Sequence, residues 1–213
     1  MSSAAGRPDL RDQVLAAVVV RAGRDGLTRV TVDAVATEAG VSRASVYRWF
    51  PGGREQLIDE GVTWEVGRFL HRLARAVEID QPVTGAPPGS PATRAQDFAG
   101  RLVRGLVFAH RAIAEHEVLQ RLLETEPGGF LPQLQQTTPL VTAVIRDYLR
   151  ERLAGVRLRP GVDVDAAADY LARMVLSFMA TPGRWDLGDP VEVERLVADE
   201  LLAGIIAADG QPA

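Results

Sequence analysis

The chain has 213 residues, 46% of them hydrophobic and 24% charged, so it can bury a core, as one large domain or as a small module joined to a bigger one, and wholesale disorder is excluded. It contains no cysteine, which excludes a disulfide framework and a thiolate metal site and makes a reducing cytoplasm the simplest compartment. No apolar stretch reaches membrane-spanning length, and residues 1–9 lack the apolar run of a signal peptide.

Residues 1–8 are small and polar and read as a frayed arm, in which Arg7, followed by Arg11, could touch phosphate. From Asp9, as N-cap, a helix is expected to about Arg24, with Leu10, Val14, Val18 and Ala22 as its apolar stripe and Asp25-Gly26 as its end. Leu27 and Val30 then tuck the link inward, and Thr31 is placed to cap the next helix. Val32, Val35, Ala36 and Ala39 recur at the spacing that puts apolar side chains on one helix face, and Gly40 stops that helix. A tight turn between two steeply crossed helices needs a left-handed residue, which glycine supplies without a Cβ penalty. Ser42 is a natural N-cap for the helix that follows. In it Val46 and Phe50 face inward, while Arg43, Ala44, Ser45, Tyr47 and Arg48 remain on or near the outer face. The small Ala36 admits the close approach of the pair.

Beyond Pro51-Gly52-Gly53 one long helix is expected from Arg54 to about Val77, and the Pro- and Gly-rich segment Gln81 to Pro91 reads as a mobile loop. Thr93-Arg94-Ala95-Gln96 is a capping-box pattern that would start a helix running through Phe98, Leu102 and Leu106 to Ile113. A short helix from about Glu115 to Glu124 should stop at Pro127-Gly128-Gly129, and Phe130 to Gly155 reads as helical, either one kinked helix or two, because of Pro132 and Pro139. Asp163 or Asp165 caps a helix to about Thr181. The last helix starts at the Asp189 cap, with Pro190 first and Glu192 three residues on, and should reach about Ala208. Its stripe of Val193, Leu196, Val197, Leu201 and Ile205 is wider than one neighbour requires. No β pattern or repeat appears, so the expected architecture is all-α: a three-helix head over residues 1–54, with the connecting helix starting to about 60, and a helical bundle over 55–213.

The stretch from Thr31 to Leu57 reads as a helix-turn-helix followed by the start of a connecting helix, and the second helix of such a pair, entering the major groove N-terminus first, offers its first turns to base edges. On that geometry Arg43 is the candidate for guanine, Ser45 for a versatile short contact and Ala44 for a thymine methyl, with Arg48 reaching base or phosphate. Tyr47, Thr31 and Arg54 would touch the phosphate backbone and set register, and Ser42, where the reading helix begins, joins the DNA-binding set. The formal charge of −4 divides unevenly: residues 1–54 hold eight Arg against five acidic residues, +3, and residues 55–213 sixteen against twenty-three, −7. A basic head on an acidic body fits a protein that meets phosphates with its head alone.

The string A-x-x-A-G-V-S-x-x-S-V-Y-x-x-F, carried by Ala36, Ala39, Gly40, Val41, Ser42, Ser45, Val46, Tyr47 and Phe50, resembles the DNA-binding segment of TetR-family transcriptional regulators. Thr31, Val35 and Leu57 also fall where that pattern wants them, and Arg54 stands where many members carry lysine. The resemblance implies a homodimer on a palindromic operator, with half-sites about one helical turn, ~34–36 Å, apart. It implies a dimerising four-helix bundle to which each subunit gives its last two helices, with Leu171, Val175, Phe178, Val193, Leu196, Val197, Leu201 and Ile205 on the shared face and ~1,600 Å² buried in total. It also implies a small-molecule effector held by the middle helices, among which Trp64, Phe69, Phe108, His110, His116, Phe130, Tyr148, Met174, Phe178 and Trp185 are candidates. The expected function is a ligand-released repressor; the alternatives are a ligand-insensitive regulator and a helical ligand-binding or scaffold protein whose head no longer binds DNA. No cofactor or metal is expected: His71, His110 and His116 form no H-E-x-x-H pair, and Gly52-Gly53 lacks the strand and lysine of a phosphate loop, so an enzyme is not the reading.

Overall fold

The computed structural model describes residues 9–78 and 91–207, so Arg7 and nearly all of the expected loop from Gln81 lie outside the described residues. The described chain is α-helical: α1 Leu10–Asp25, a 3-10 turn Leu27–Arg29, α2 Val32–Ala39, α3 Arg43–Trp49, α4 Gly53–Val77, α5 Pro91–Ala114, α6 Glu117–Thr125, α7 Pro127–Leu153, α8 Val164–Ala180 and α9 Pro190–Leu196, which continues as a π-helical turn Val197–Leu202. No strand occurs among the described residues; Leu158 and Ile206 form one isolated antiparallel bridge. The chain divides into two compact units, residues 1–69 with 114–137 and residues 70–113 with 138–213, the divisions falling inside α4, α5 and α7.

The first unit is built on α1. Its stripe buries Val14, Leu15, Val18 and Ala22 against Val32, Val35 and Ala36 of α2, Val46 of α3 and Phe50 just after it, Leu57 and Ile58 of α4, Leu122 of α6 and Phe130 of α7. Gly61 sets how closely α4 lies on α1, because a Cβ there would come within 2.7 Å of Val18 Cγ1, a branched, fully packed side chain that has nowhere to move.

The second unit packs Phe98, Leu102 and Leu106 of α5 and Leu149 and Leu153 of α7 with Ala167, Ala168, Leu171 and Ala172 of α8 and the apolar side of α9. The last helix is shorter than expected, ending at Leu202 rather than Ala208. Hydrogen bonds from elsewhere stop it: Tyr170 Oη donates to the Glu200 carbonyl at 3.3 Å, Arg159 Nη1 donates to the Ala203 carbonyl at 2.7 Å, and Arg159 N–H takes the Ile205 carbonyl at 2.9 Å. The width of its stripe is used at home. Leu171, Val193, Leu196, Val197, Leu201 and Ile205, expected on a face shared with a second copy, are all buried in the core of their own unit, and only Val175 and Phe178 of that set keep partial exposure.

Two helix starts differ from the sequence reading for one reason, the tolerance of a first helical turn for proline. Pro91 opens α5, which leaves Thr93 inside the helix and buried rather than at the cap. Pro127 likewise opens α7, so Pro127-Gly128-Gly129 begins a helix instead of only closing one. Residues 127–153 form a single helix through Pro132 and Pro139, and the division between the two units falls one residue before Pro139, which has no N–H to give the Gln135 carbonyl.

Candidate nucleic-acid interface

The α2–α3 pair is fixed by local chemistry at each end. Thr31 Oγ1 accepts the Ala34 N–H at 3.2 Å and starts α2. Gly40 closes it in the left-handed region, φ 65° and ψ 29°, and Val41 N–H returns to the Ala36 carbonyl at 3.0 Å. Ser42 Oγ then accepts the Ser45 N–H at 3.0 Å and starts α3. Val46 and Phe50 are wholly buried, and this orients the helix, because α3 is too short to hold itself in water.

Burial on that side leaves Ser42, Arg43, Ala44, Tyr47 and Arg48 exposed on the other, with Ser45 half-buried and Thr31 exposed at the start of α2. The hydroxyls of Ser42 and Ser45 lie 2.9 Å apart, so one donates to the other and a single hydroxyl proton is left for a ligand. The Arg43 guanidinium lies 5.4 Å from the Tyr47 ring centroid, donates to Tyr47 Oη at 3.4 Å, and meets the Asp33 carboxylate at 3.1 Å. The hydrogen bond with Tyr47 and the charge of Asp33 both push its pKa up, so it is fully charged. Arg48 lies 5.4 Å over the Trp49 ring, and Trp49 itself is half-buried against the core. Thus the outer face carries two cations, two hydroxyl-bearing residues at its N-terminal end, a tyrosine and a methyl group, which is the chemistry of phosphate contact and base-edge reading.

Arg54 has partners of its own. Its Nε donates to the Val30 carbonyl at 2.7 Å and its Nη2 to the carbonyls of Leu27 at 2.9 Å and Thr28 at 3.1 Å. The guanidinium therefore straps the link between α1 and α2 from α4 with three of its five N–H groups, which leaves those of Nη1 for phosphate. The Glu126 carboxylate holds the same link from the other side, accepting the Thr28 N–H at 2.9 Å. Neither contact was visible in the sequence, since the separations are 24 to 27 residues for Arg54 and 98 for Glu126. Asp33 was also missed; its place in the first turn of α2, with Arg43 opening α3, was the available signal.

The candidate effector residues do not fall in one unit. Trp64, Phe69, His116 and Phe130 belong to the first, and Phe108, His110, Tyr148, Met174, Phe178 and Trp185 to the second. Phe130 is core, 5% exposed. His116 caps α6, its Nδ1 accepting the Leu119 N–H at 3.1 Å, while Nε2 lies 3.3 Å from the Glu65 carboxylate of α4. An acceptor at Nδ1 puts the imidazole proton on Nε2, where it donates to Glu65. Tyr148 Oη donates to Glu78 at 3.0 Å within a cluster that includes Arg101 and Arg152. Met174, Phe178 and Trp185 pack partly buried against the second core. Among the described residues no helix is long and apolar enough to cross a membrane, and no three His, Asp or Glu side chains gather as metal ligands.

Residues 15–60 match the family model described as bacterial regulatory proteins, tetR family, a span that holds α2, α3 and most of the cluster around α1. No curated protein matches the chain in sequence. Among solved structures, the transcriptional repressor QsdR of R. erythropolis, from the TetR family, aligns at a TM-score of 0.57 and 16% identity over 95% of this chain and 98% of its own. SmeT in complex with triclosan, the repressor of a multidrug efflux pump in Stenotrophomonas maltophilia, aligns at 0.56 and 20% identity over 94% and 93%. The TetR family repressor AlkX of Dietzia sp. aligns at 0.52 and 20% identity over 90% and 95%. At these identities the structures speak for the fold, and the family match speaks for the head. The chain thus has the fold of TetR-family transcriptional regulators, and its residues 15–60 carry the helix-turn-helix segment of the tetR family of bacterial regulatory proteins.

Proposed function

We propose that the protein is a sequence-specific, duplex DNA-binding repressor that works as a homodimer on a palindromic operator and is released by a small molecule. The observation that carries this reading is the division of α3: Val46, with Phe50 just after it, is locked into the core, while Arg43, Ala44, Tyr47 and Arg48 stand in solvent on the opposite face. A helix whose inner side is fixed so firmly presents its outer side as a rigid reading edge. The basic balance of residues 1–54 supports the same assignment. Residues 55–213 would provide the effector-binding and dimerising part. With Leu196 and its neighbours committed to their own core, the second copy would be met through half-exposed side chains such as Val175 and Phe178.

Effector binding would favour one conformer of α4, and the change in operator affinity can be no larger than the effector's preference for that conformer. The SmeT structure holds triclosan, which supports an apolar aromatic effector as a first probe. Selection of bound fragments from random duplex DNA tests the proposal. The expected result is an inverted repeat with half-sites about one turn apart, bound at two chains per site. Enrichment of a single non-palindromic sequence, or of none, would refute it.

A further inference from the structure

Asp33 is exposed and acidic on the helix that precedes the reading helix, where a carboxylate repels any duplex whatever its sequence. Its ion pair with Arg43 adds little to the fold, because both side chains are about three-fifths exposed, 64% and 61%. The pair is nonetheless specific in geometry: Arg43 Nη1 lies 3.1 Å from each of the two carboxylate oxygens, and Nη2 and the guanidinium plane are held by Tyr47. Two of the five guanidinium N–H groups are thereby engaged and three remain, enough for the two-pronged contact with the O6 and N7 of guanine.

We infer that Asp33 is the positioning residue of the reading helix: it holds the Arg43 guanidinium between its carboxylate and the Tyr47 ring, so that guanine is read by a preset fork, and its charge lowers binding to every duplex, a loss that only a duplex using that fork recovers. This rests on the DNA-binding reading above. The physical gain is conformational. An arginine free in solvent must be immobilised when it binds a base, whereas one already clamped between a carboxylate and a ring has less freedom to lose. Phosphate contact gains nothing from such a clamp, since an unclamped cation meets a phosphate equally well, so the device raises discrimination and lowers bulk affinity together.

The test is competition binding on the selected operator, with each half-site position substituted in turn and bulk duplex as reference, for the wild type and for Asp33→Ala, Asp33→Asn and Asp33→Glu. A two-pronged arginine contact discriminates ~5- to ~150-fold between bases. Asp33→Ala and Asp33→Asn should cut discrimination at the one position read by Arg43 by roughly three- to fivefold, the most that so exposed an ion pair supplies, and leave the other positions within about twofold. Both should bind bulk duplex more tightly, and Asp33→Glu should recover part of the discrimination. Melting temperatures report that the head stays folded, since Thr31 and not Asp33 caps α2. Unchanged discrimination in the Ala and Asn variants, or a loss spread evenly over all positions, would overturn the positioning role while leaving the regulator reading intact. A wild-type protein that prefers no duplex would overturn both.

Discussion

Replacing Arg54 by alanine separates two roles that the sequence cannot distinguish. The structure engages its Nε and Nη2 with three carbonyls of the α1–α2 link, at 2.7, 2.9 and 3.1 Å. Hydrogen bonds from a charged donor contribute about 1.5–3 kcal/mol each. The three share one side chain, however, and lie at least partly in solvent, where water replaces part of what is lost. The whole strap is therefore worth ~2–3 kcal/mol rather than three times the single-bond figure. At ~2–4 °C per kcal/mol for a chain of this size, Arg54→Ala should lower the melting temperature of the protein by ~4–12 °C, read by circular dichroism. Arg54→Lys should recover at most one bond, because an ammonium has no second, rigidly spaced donor nitrogen with which to reach Val30 and Leu27 together. If Arg54 were mainly a phosphate contact, the alanine variant would melt like the wild type and instead lose about one unit from the slope of log affinity against log salt. A melting point within about 1 °C of wild type with a flattened slope would refute the strap.

Other outcomes follow from burial, backbone and charge. Gly40→Ala should destabilise the head by ~1–2 kcal/mol, seen in a urea titration, entirely through the left-handed backbone at φ 65°, since nothing lies within 4 Å of the added Cβ; Gly40→Asn should cost less. Leu196→Ala should cost ~2–5 kcal/mol because the side chain is wholly buried, while Val191→Ala, 54% exposed, should stay within about 0.5 kcal/mol. The loss at Leu196 should not depend on protein concentration, as it would if that residue packed against a second copy. Glu78 is held below the usual carboxylate range by its hydrogen bond from Arg152, against the opposing effect of desolvation, with Tyr148 and Arg101 adding to the lowering. A carboxylate depressed in the folded state contributes stability above its unfolded pKa, ~4.3, and loses it as the pH falls through the folded value. Thermal melts between about pH 6 and pH 3 should therefore fall less steeply on the acid side for Glu78→Gln than for the wild type.

Much of the architecture was legible because its signals are local. Asp9, Thr31, Ser42 and Asp189 cap the helices they were expected to cap, Asp163 rather than Asp165 caps α8, and Gly40 turns the chain where expected, since each acts on backbone within four residues of itself. The inward setting of Val46 and Phe50, and with it the outer face of α3, follows from spacing alone. The same local logic misplaced the starts of α5 and α7, where a proline in the first turn competes with a polar cap or a glycine pair and both readings are sterically allowed.

Sequence by itself thus determined an all-helical chain with a helix-turn-helix whose inner and outer faces were already assigned, because capping, glycine and apolar spacing act over a turn or two of backbone. Tertiary structure alone decided that Arg54 straps the α1–α2 link, that Glu126 grips Thr28, that Asp33 holds Arg43, and that the wide stripe of α9 closes its own core. Each of those depends on which distant donor or cavity comes within hydrogen-bond or van der Waals reach, and apolar periodicity says that a face is buried without saying what buries it.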